Sequence, residues 1–209
     1  MSNAEAFWNK VAFKYSRKPI KNIRAYKQTM QRTLSYLSGQ DKVLEIGCGT
    51  GSTALLLADC VGTITASDVS ATMIAIGLEK AADHDVENVE FRQATPFDSC
   101  FDEEVFDAVL AFNMLHLLDD VPAAAARINS RLKPGGLFIS KTPCLAGKAW
   151  LFKPLVAVMR LFRLAPPVTF LSIPQLERYL KDAGFEIVET GDYPASPPNH
   201  FIVARKPGD

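Results

Sequence analysis

"KVLEIGCGTGSTALLLADC", Lys42 to Cys60, decides the fold. An apolar run enters three glycines in five positions, then an alanine- and leucine-rich segment. A strand that ends in glycines and feeds a helix lets backbone approach a ligand closely, because glycine takes the tight turn and brings no side chain to the contact. The spacing is Gly47-x-Gly49-x-Gly51. The dinucleotide fingerprint GxGxxG needs glycine where this chain has Ser52, so a pyrophosphate cradle is disfavoured. Glu45, inside the apolar run, repels phosphate and suits a ligand with a cationic end. Asp68, in "ITASDVS" at the end of the second predicted strand, is placed to accept hydrogen bonds from vicinal ribose hydroxyls.

Outward from that stretch, strand and helix patterns alternate. Strands are predicted at Lys42–Ile46, Thr63–Ser67, Val89–Arg92, Phe106–Ala111, Leu137–Lys141, Phe185–Glu189 and Phe201–Ala204. Helices are predicted at Ser52–Cys60, Ala71–Ala82 and Val121–Leu132, with a short irregular piece near Phe97–Glu104. This rhythm gives an α/β fold, a mainly parallel sheet with helices on both faces. "TGDYPASPPN" is too short for a crossover helix, so the last two strands should run antiparallel. Residues 5–37 read as a helical lid before the first strand, and 143–173 as a helical insertion after the fifth. All 209 residues form one domain, with both additions at the edge where parallel strands deliver their C-terminal ends.

Basic and acidic residues balance at 23 each, which leaves no overall field to attract nucleic acid. Cys48, Cys60, Cys100 and Cys144 are scattered, without a CxxC pair or a histidine at metal-ligand spacing, and read as reduced thiols. No metal site is expected. No stretch reaches the roughly 20 apolar residues that span a bilayer, and Lys10 and Lys14 interrupt the N-terminal segment, so the expected compartment is the cytoplasm.

Four motifs, "VLEIGCGTG" (43–51), "SDVSATM" (67–73), "FDAVLAFNMLHLL" (106–118) and "LKPGGLFIS" (132–140), together resemble the class I S-adenosylmethionine-dependent methyltransferases. Within them the chain is most similar to the small-molecule branch that includes the ubiquinone/menaquinone-biosynthesis methyltransferases. The resemblance implies a Rossmann-like three-layer α/β/α sandwich, whose seven-stranded, mostly parallel sheet has its last strand antiparallel. It implies S-adenosyl-L-methionine as cofactor, S-adenosyl-L-homocysteine as product, and methyl transfer to a small, apolar or aromatic acceptor at O, C or N. By the same resemblance, Gly47, Cys48, Gly49 and Gly51 lie under the methionine and ribose portions, and Glu45 shapes the loop or accepts from the amino end. Asp68 takes the ribose hydroxyls, Val69 and Met73 pack on adenine, and Asn113 and Met114 lie near the sulfonium. The third strand of such enzymes usually ends in an acid that accepts from the adenine amino group. Here Ala94 and Thr95 stand there, with Asp98 three residues on.

His116 is the candidate base, or else a residue that holds the turn to the next helix. Phe7, Trp8, Val11 and Tyr15 follow a helical spacing, and Trp8 and Tyr15 are candidate acceptor contacts within the lid. From Val121 through Gln175 the chain has no acidic residue. Its segment "KAWLFKPLVAVMRLFRLAPPV" (148–168) supports a short basic helix after Pro154. Trp150, Phe152, Met159 and Phe162 would roof an apolar acceptor; the same helix at 148–164 also reads as a cover over the core or a peripheral membrane contact. The alternative to an enzyme is a non-catalytic S-adenosylmethionine-binding module that docks on a partner or membrane through this helix.

Overall fold

The computed structural model describes residues 2–161 and 165–208. Two helices, α1 (Asn3–Ser16) and α2 (Ile23–Leu34), precede β1 (Lys42–Ile46). There follow α3 (Ser52–Leu57), β2 (Thr63–Asp68), α4 (Ala71–Asp83), β3 (Val89–Gln93), β4 (Phe106–Phe112) and α5 (Val121–Ser130). The chain ends through β5 (Leu132–Pro143), α6 (Ala149–Leu161), α7 (Ile173–Asp182), β6 (Glu186–Asp192) and β7 (Asn199–Arg205).

The seven strands lie in the order β3-β2-β1-β4-β5-β7-β6, and β7 is antiparallel to both neighbours. β1 is apolar on both sides because helices cover both faces of the sheet. Val43 faces a core shared with Ala54 and Leu57 of α3 and Ile74 and Ala81 of α4, while Leu44 and Ile46 face one shared with α5 and α7. The chain winds outward from β1 to β3, then returns to place β4 on the other side of β1. This reversal opens a crevice at the C-terminal ends of β1 and β4, the position at which doubly wound sheets hold ligands.

Strand existence and order match the reading of the sequence, and most boundaries fall within one to three residues. β5 differs most. Its pairing with β4 jumps from Phe106↔Leu132 to Ala108↔Leu137, so the "KPGG" turn lies inside the strand and hides its start. The helix after the fifth strand also differs. α6 begins at Ala149 and carries Pro154 inside it, whereas the sequence placed the proline at its start. Side-chain caps set the starts of α4, α5 and α7. Ser70 accepts from the Met73 N–H, Asp120 from Ala123, and Ser172 from Gln175.

Candidate functional site

The glycine loop leaves β1 with its amides occupied. The N–H groups of Gly47 and Cys48 both donate to the Ser67 carbonyl, at 2.7 and 2.9 Å, and that of Gly51 donates to the Cys48 carbonyl at 3.1 Å. The Gly49 N–H donates to Asp68 Oδ2 at 3.0 Å. A phosphate cradle needs free N–H groups pointing outward, and these four point elsewhere. Gly47 and Gly49 have φ of +71° and +55°, the left-handed region. A Cβ on Gly47 would lie 2.4 Å from Met114 Cγ, so the close approach of loop and Met114 requires glycine.

Beneath the loop Glu45 is buried, at 3% exposure, and its Oε2 has no hydrogen-bond partner. Burial pushes its carboxyl up to about 8; the Ala54 N–H opposes that shift and the charge of Asp68 adds to it. Asp68 accepts from Gly49 through one oxygen and from the Ser70 N–H, at 2.9 Å, through the other. Each oxygen keeps a lone pair for a further donor. Burial raises its carboxyl, and the two backbone donors hold it back.

α1 lies against α4 and covers this loop. Asn9 Oδ1 accepts from Ser70 Oγ at 2.6 Å and from the Thr72 N–H at 3.2 Å, and the fully buried Ala12 packs with Trp8, Met73 and Ile76. A Cβ on Gly49 would sit 3.7 Å from the Tyr15 ring, so Tyr15 stands directly over the loop. Its hydroxyl is pushed up by burial, then by the charges of Asp68 and Glu45.

Together these parts enclose a cavity of about 400 Å³. Of the residues the sequence singled out, Trp8, Tyr15, Gly47, Gly49, Asp68, Val69, Met73, Ala94, Thr95, Asn113 and Met114 line it. Phe97, Phe112, Leu117, Leu118 and Asp119 also line it and were not foreseen. Phe112 was legible as the last residue of β4, whose neighbours were already named. The others follow from how the loops after β3 and β4 fold over the crevice, which no local pattern reports. Asn113 holds φ +56°, donates its N–H to the Lys141 carbonyl at 2.7 Å and accepts from Asn199 Nδ2 at 3.0 Å. Thr95 and Asp98 close a turn on each other. Thr95 donates its N–H and hydroxyl to Asp98 Oδ2, at 2.6 and 2.5 Å.

Several expected residues stand off the cavity wall. Glu45 lies behind the loop. Cys48 turns into the core beside Val43 and Leu57, where burial pushes its thiol well up. Gly51 is needed for packing, since a Cβ there would meet the Phe91 ring at 2.5 Å. His116 is also off the wall: desolvation depresses its imidazole to about 4, its Nδ1 has no partner, and its carbonyl accepts from the Thr169 N–H at 2.8 Å. Trp150 is 78% exposed, and among the described residues none from 143–173 lines the cavity, so Trp150 and Met159 do not roof it. Phe162 and the side chain of Phe152 lie outside the described residues. Among those described, no cluster of His, Cys, Asp or Glu could hold a metal, and no helix is long and apolar enough to cross a membrane.

Comparison with known proteins carries the same reading further. Residues 19–190 match the family described as a methyltransferase domain. The chain is 32% identical over 174 residues to the ubiquinone biosynthesis O-methyltransferase of Alkalilimnicola ehrlichii, covering 79% of this chain and 69% of that protein. It is 29% identical over 76% of its length to a highly reducing polyketide synthase of Phaeosphaeria nodorum, but spans only 6% of that much longer protein. Its fold matches the magnesium protoporphyrin IX methyltransferase of Synechocystis PCC 6803, solved with bound SAH, at a TM-score of 0.75 and 18% identity over 97% of each chain. With the reversal of strand order at the glycine loop and the acid that ends β2, these matches make the chain a member of the class I S-adenosylmethionine-dependent methyltransferases.

Proposed function

We propose that this enzyme transfers a methyl group to a small, apolar or aromatic molecule bound in the cavity beside the glycine loop. The observation that carries the proposal is the cavity wall. Trp8, Phe97, Phe112, Leu117 and Leu118 make it apolar and aromatic, its charged side chains are acids, and among the described residues it has no lysine, arginine or histidine. Such a wall favours an apolar body and offers an anionic group no partner.

The residues present fit the cofactor. Just behind the cavity wall, Glu45 keeps a buried carboxyl oxygen without a partner, which would ionise and pair with the cationic amino end of an amino acid reaching past the loop. The occupied loop amides suit a ligand without phosphate at that point. Asp68 keeps acceptor capacity for ribose hydroxyls, Val69 and Met73 offer apolar surface for adenine beside Ala94 and Thr95, and Asn113 and Met114 complete the wall after β4. The bound cofactor supplies an electrophilic methyl group. The protein contributes alignment and exclusion of water, and alignment alone is worth about 7–11 kcal/mol. The lid residues Trp8 and Tyr15 stand where they would exclude water from the reacting atoms. His116, neutral at pH 7 and off the wall, sits in the turn that carries Leu117, which its backbone carbonyl ties to the Thr169 N–H. The relative named as a ubiquinone biosynthesis O-methyltransferase supports oxygen as the atom methylated.

Isothermal titration with S-adenosylmethionine and with NAD, on wild type and Asp68→Ala, tests the cofactor site. Binding of the first ligand alone, lost in the variant, supports it. A panel of phenols, quinols, amines and carboxylic acids, read by S-adenosylhomocysteine release, then tests the acceptor class. Turnover confined to the carboxylic acids would overturn the proposal.

A further inference from the structure

α4 is tied to the glycine loop at two points, one within the proposed cofactor site and one outside the cavity wall. At its start, the Asp68 carboxylate bridges the Gly49 and Ser70 amides. Further along, Lys80 Nζ donates to the Thr50 carbonyl at 3.2 Å, to Thr50 Oγ1 at 2.9 Å and to Ser52 Oγ at 3.2 Å. One turn before Lys80, on the same face, Gly77 lets the helix touch the loop. A Cβ built on Gly51 would lie 3.6 Å from Gly77 Cα, and a Cβ on either glycine would run into the Phe91 ring, at 2.5 and 2.4 Å.

This lysine does not serve the helix it reaches. α3 begins at Gly51 without a side-chain cap, and a cation at a helix N-terminus opposes the helix dipole. Its ammonium is also partly desolvated, which lowers its basicity. What the three bonds do achieve is to fix the segment that follows Gly49, and with it the orientation of the Gly49 amide that holds Asp68.

We propose that Lys80 is a positioning residue for the cofactor, setting the spacing between the glycine loop and the start of α4 so that Asp68 and the loop form one preformed surface. The inference rests on the cofactor reading above. Pre-organisation of this kind contributes to affinity by removing the cost of ordering the loop when ligand binds.

The test is titration of S-adenosylhomocysteine into wild type, Lys80→Met and Lys80→Arg, with thermal unfolding of each free protein and amide exchange over residues 47–53. Lys80→Met should weaken binding about tenfold, the effect of losing a charged hydrogen-bond set, and raise exchange in that segment alone. Lys80→Arg, which keeps a cationic donor, should recover most of the affinity. If Lys80→Met does not fold, the Thr50→Val/Ser52→Ala double variant removes two of the three acceptors and should weaken binding in the same direction. Affinity within twofold of wild type in the folded variants overturns the proposal, as does a loss of affinity that Lys80→Arg shares in full. Failure of wild type itself to bind would refute the cofactor reading instead, so the two failures are distinct.

Discussion

Glu45 should make cofactor binding depend on pH, and the size of the effect follows from its burial. In the free protein its carboxyl titrates at about 8, because desolvation opposes its charge and Asp68 adds to that opposition. At pH 7, about nine in ten molecules therefore hold the proton there. An ammonium group placed beside it favours the carboxylate, so binding expels the proton. The apparent affinity is then the intrinsic one multiplied by the ionised fraction, which rises about ninefold from pH 6 to pH 7, or about 1.3 kcal/mol. Above about pH 8 the ligand's own α-amino group loses its proton and the gain stops. Calorimetry from pH 6 to 7.5, in two buffers of different ionisation enthalpy, reads both the slope and the proton count. Release of close to one proton at pH 7 is expected. Glu45→Gln should bind more weakly at pH 7.5, with an affinity that barely changes with pH. The free protein supplies an independent check on sign. Its unfolded chain ionises Glu45 from about 4.5 while the fold keeps the proton until about 8, so stability falls as pH rises through that window. At pH 7 the free Glu45→Gln protein should be more stable than wild type by up to about 3 kcal/mol. A flat affinity with no buffer dependence would refute the reasoning.

Four further outcomes follow. Asp68→Ala removes the acceptor that joins β2, the loop and α4, and should weaken cofactor binding by about 2 kcal/mol or more in calorimetry, with Asp68→Asn falling between the two. Gly51→Ala adds a Cβ 2.5 Å from the Phe91 ring at a φ of +72°, so chemical denaturation should show a loss of about 2–4 kcal/mol, part of which Phe91→Leu restores. His116 stays neutral in the fold until about pH 4, while the unfolded chain protonates it from about 6.5. Wild type should therefore lose stability on acidification through that range, by about 3 kcal/mol at the lower end, and His116→Met should lose less over the same range; an unchanged profile would place the imidazole in water. Asn9→Ala removes the latch from α1 to the first turn of α4 and should weaken cofactor binding severalfold, with quenching of Trp8 by acrylamide increasing in the free protein.

What the sequence made legible, and what it hid, divides along one physical line. β1, β2 and β4 are central strands covered on both faces, so their buried positions hold apolar or small residues with few charges, and β1 stops where the glycines begin. Asp68 and Asn113 could be named because each stands at or just after the end of such a strand. Roles that depend on which way a loop residue turns were out of reach. Gly51 and Gly49 look alike in the sequence, yet one sits against Phe91 and the other against Tyr15. His116 and Leu117 are neighbours in one turn, and only Leu117 reaches the cavity. The aromatic residues after Pro143 suggested a roof because apolar composition cannot distinguish a surface that covers a ligand from one that faces outward, and Trp150 at 78% exposure faces outward. The N-terminal helix was legible for the converse reason. Phe7, Trp8, Val11 and Tyr15 recur at helical spacing, while the small Ala12, which the pattern did not single out, is what lets α1 pack on Met73 and Ile76 as the Trp8 and Tyr15 rings reach the cavity. Lys80 gave no signal at all: an isolated lysine near the end of a helix is the commonest of surface residues, and only the closeness of Gly51 to Gly77 brings the glycine loop within its reach.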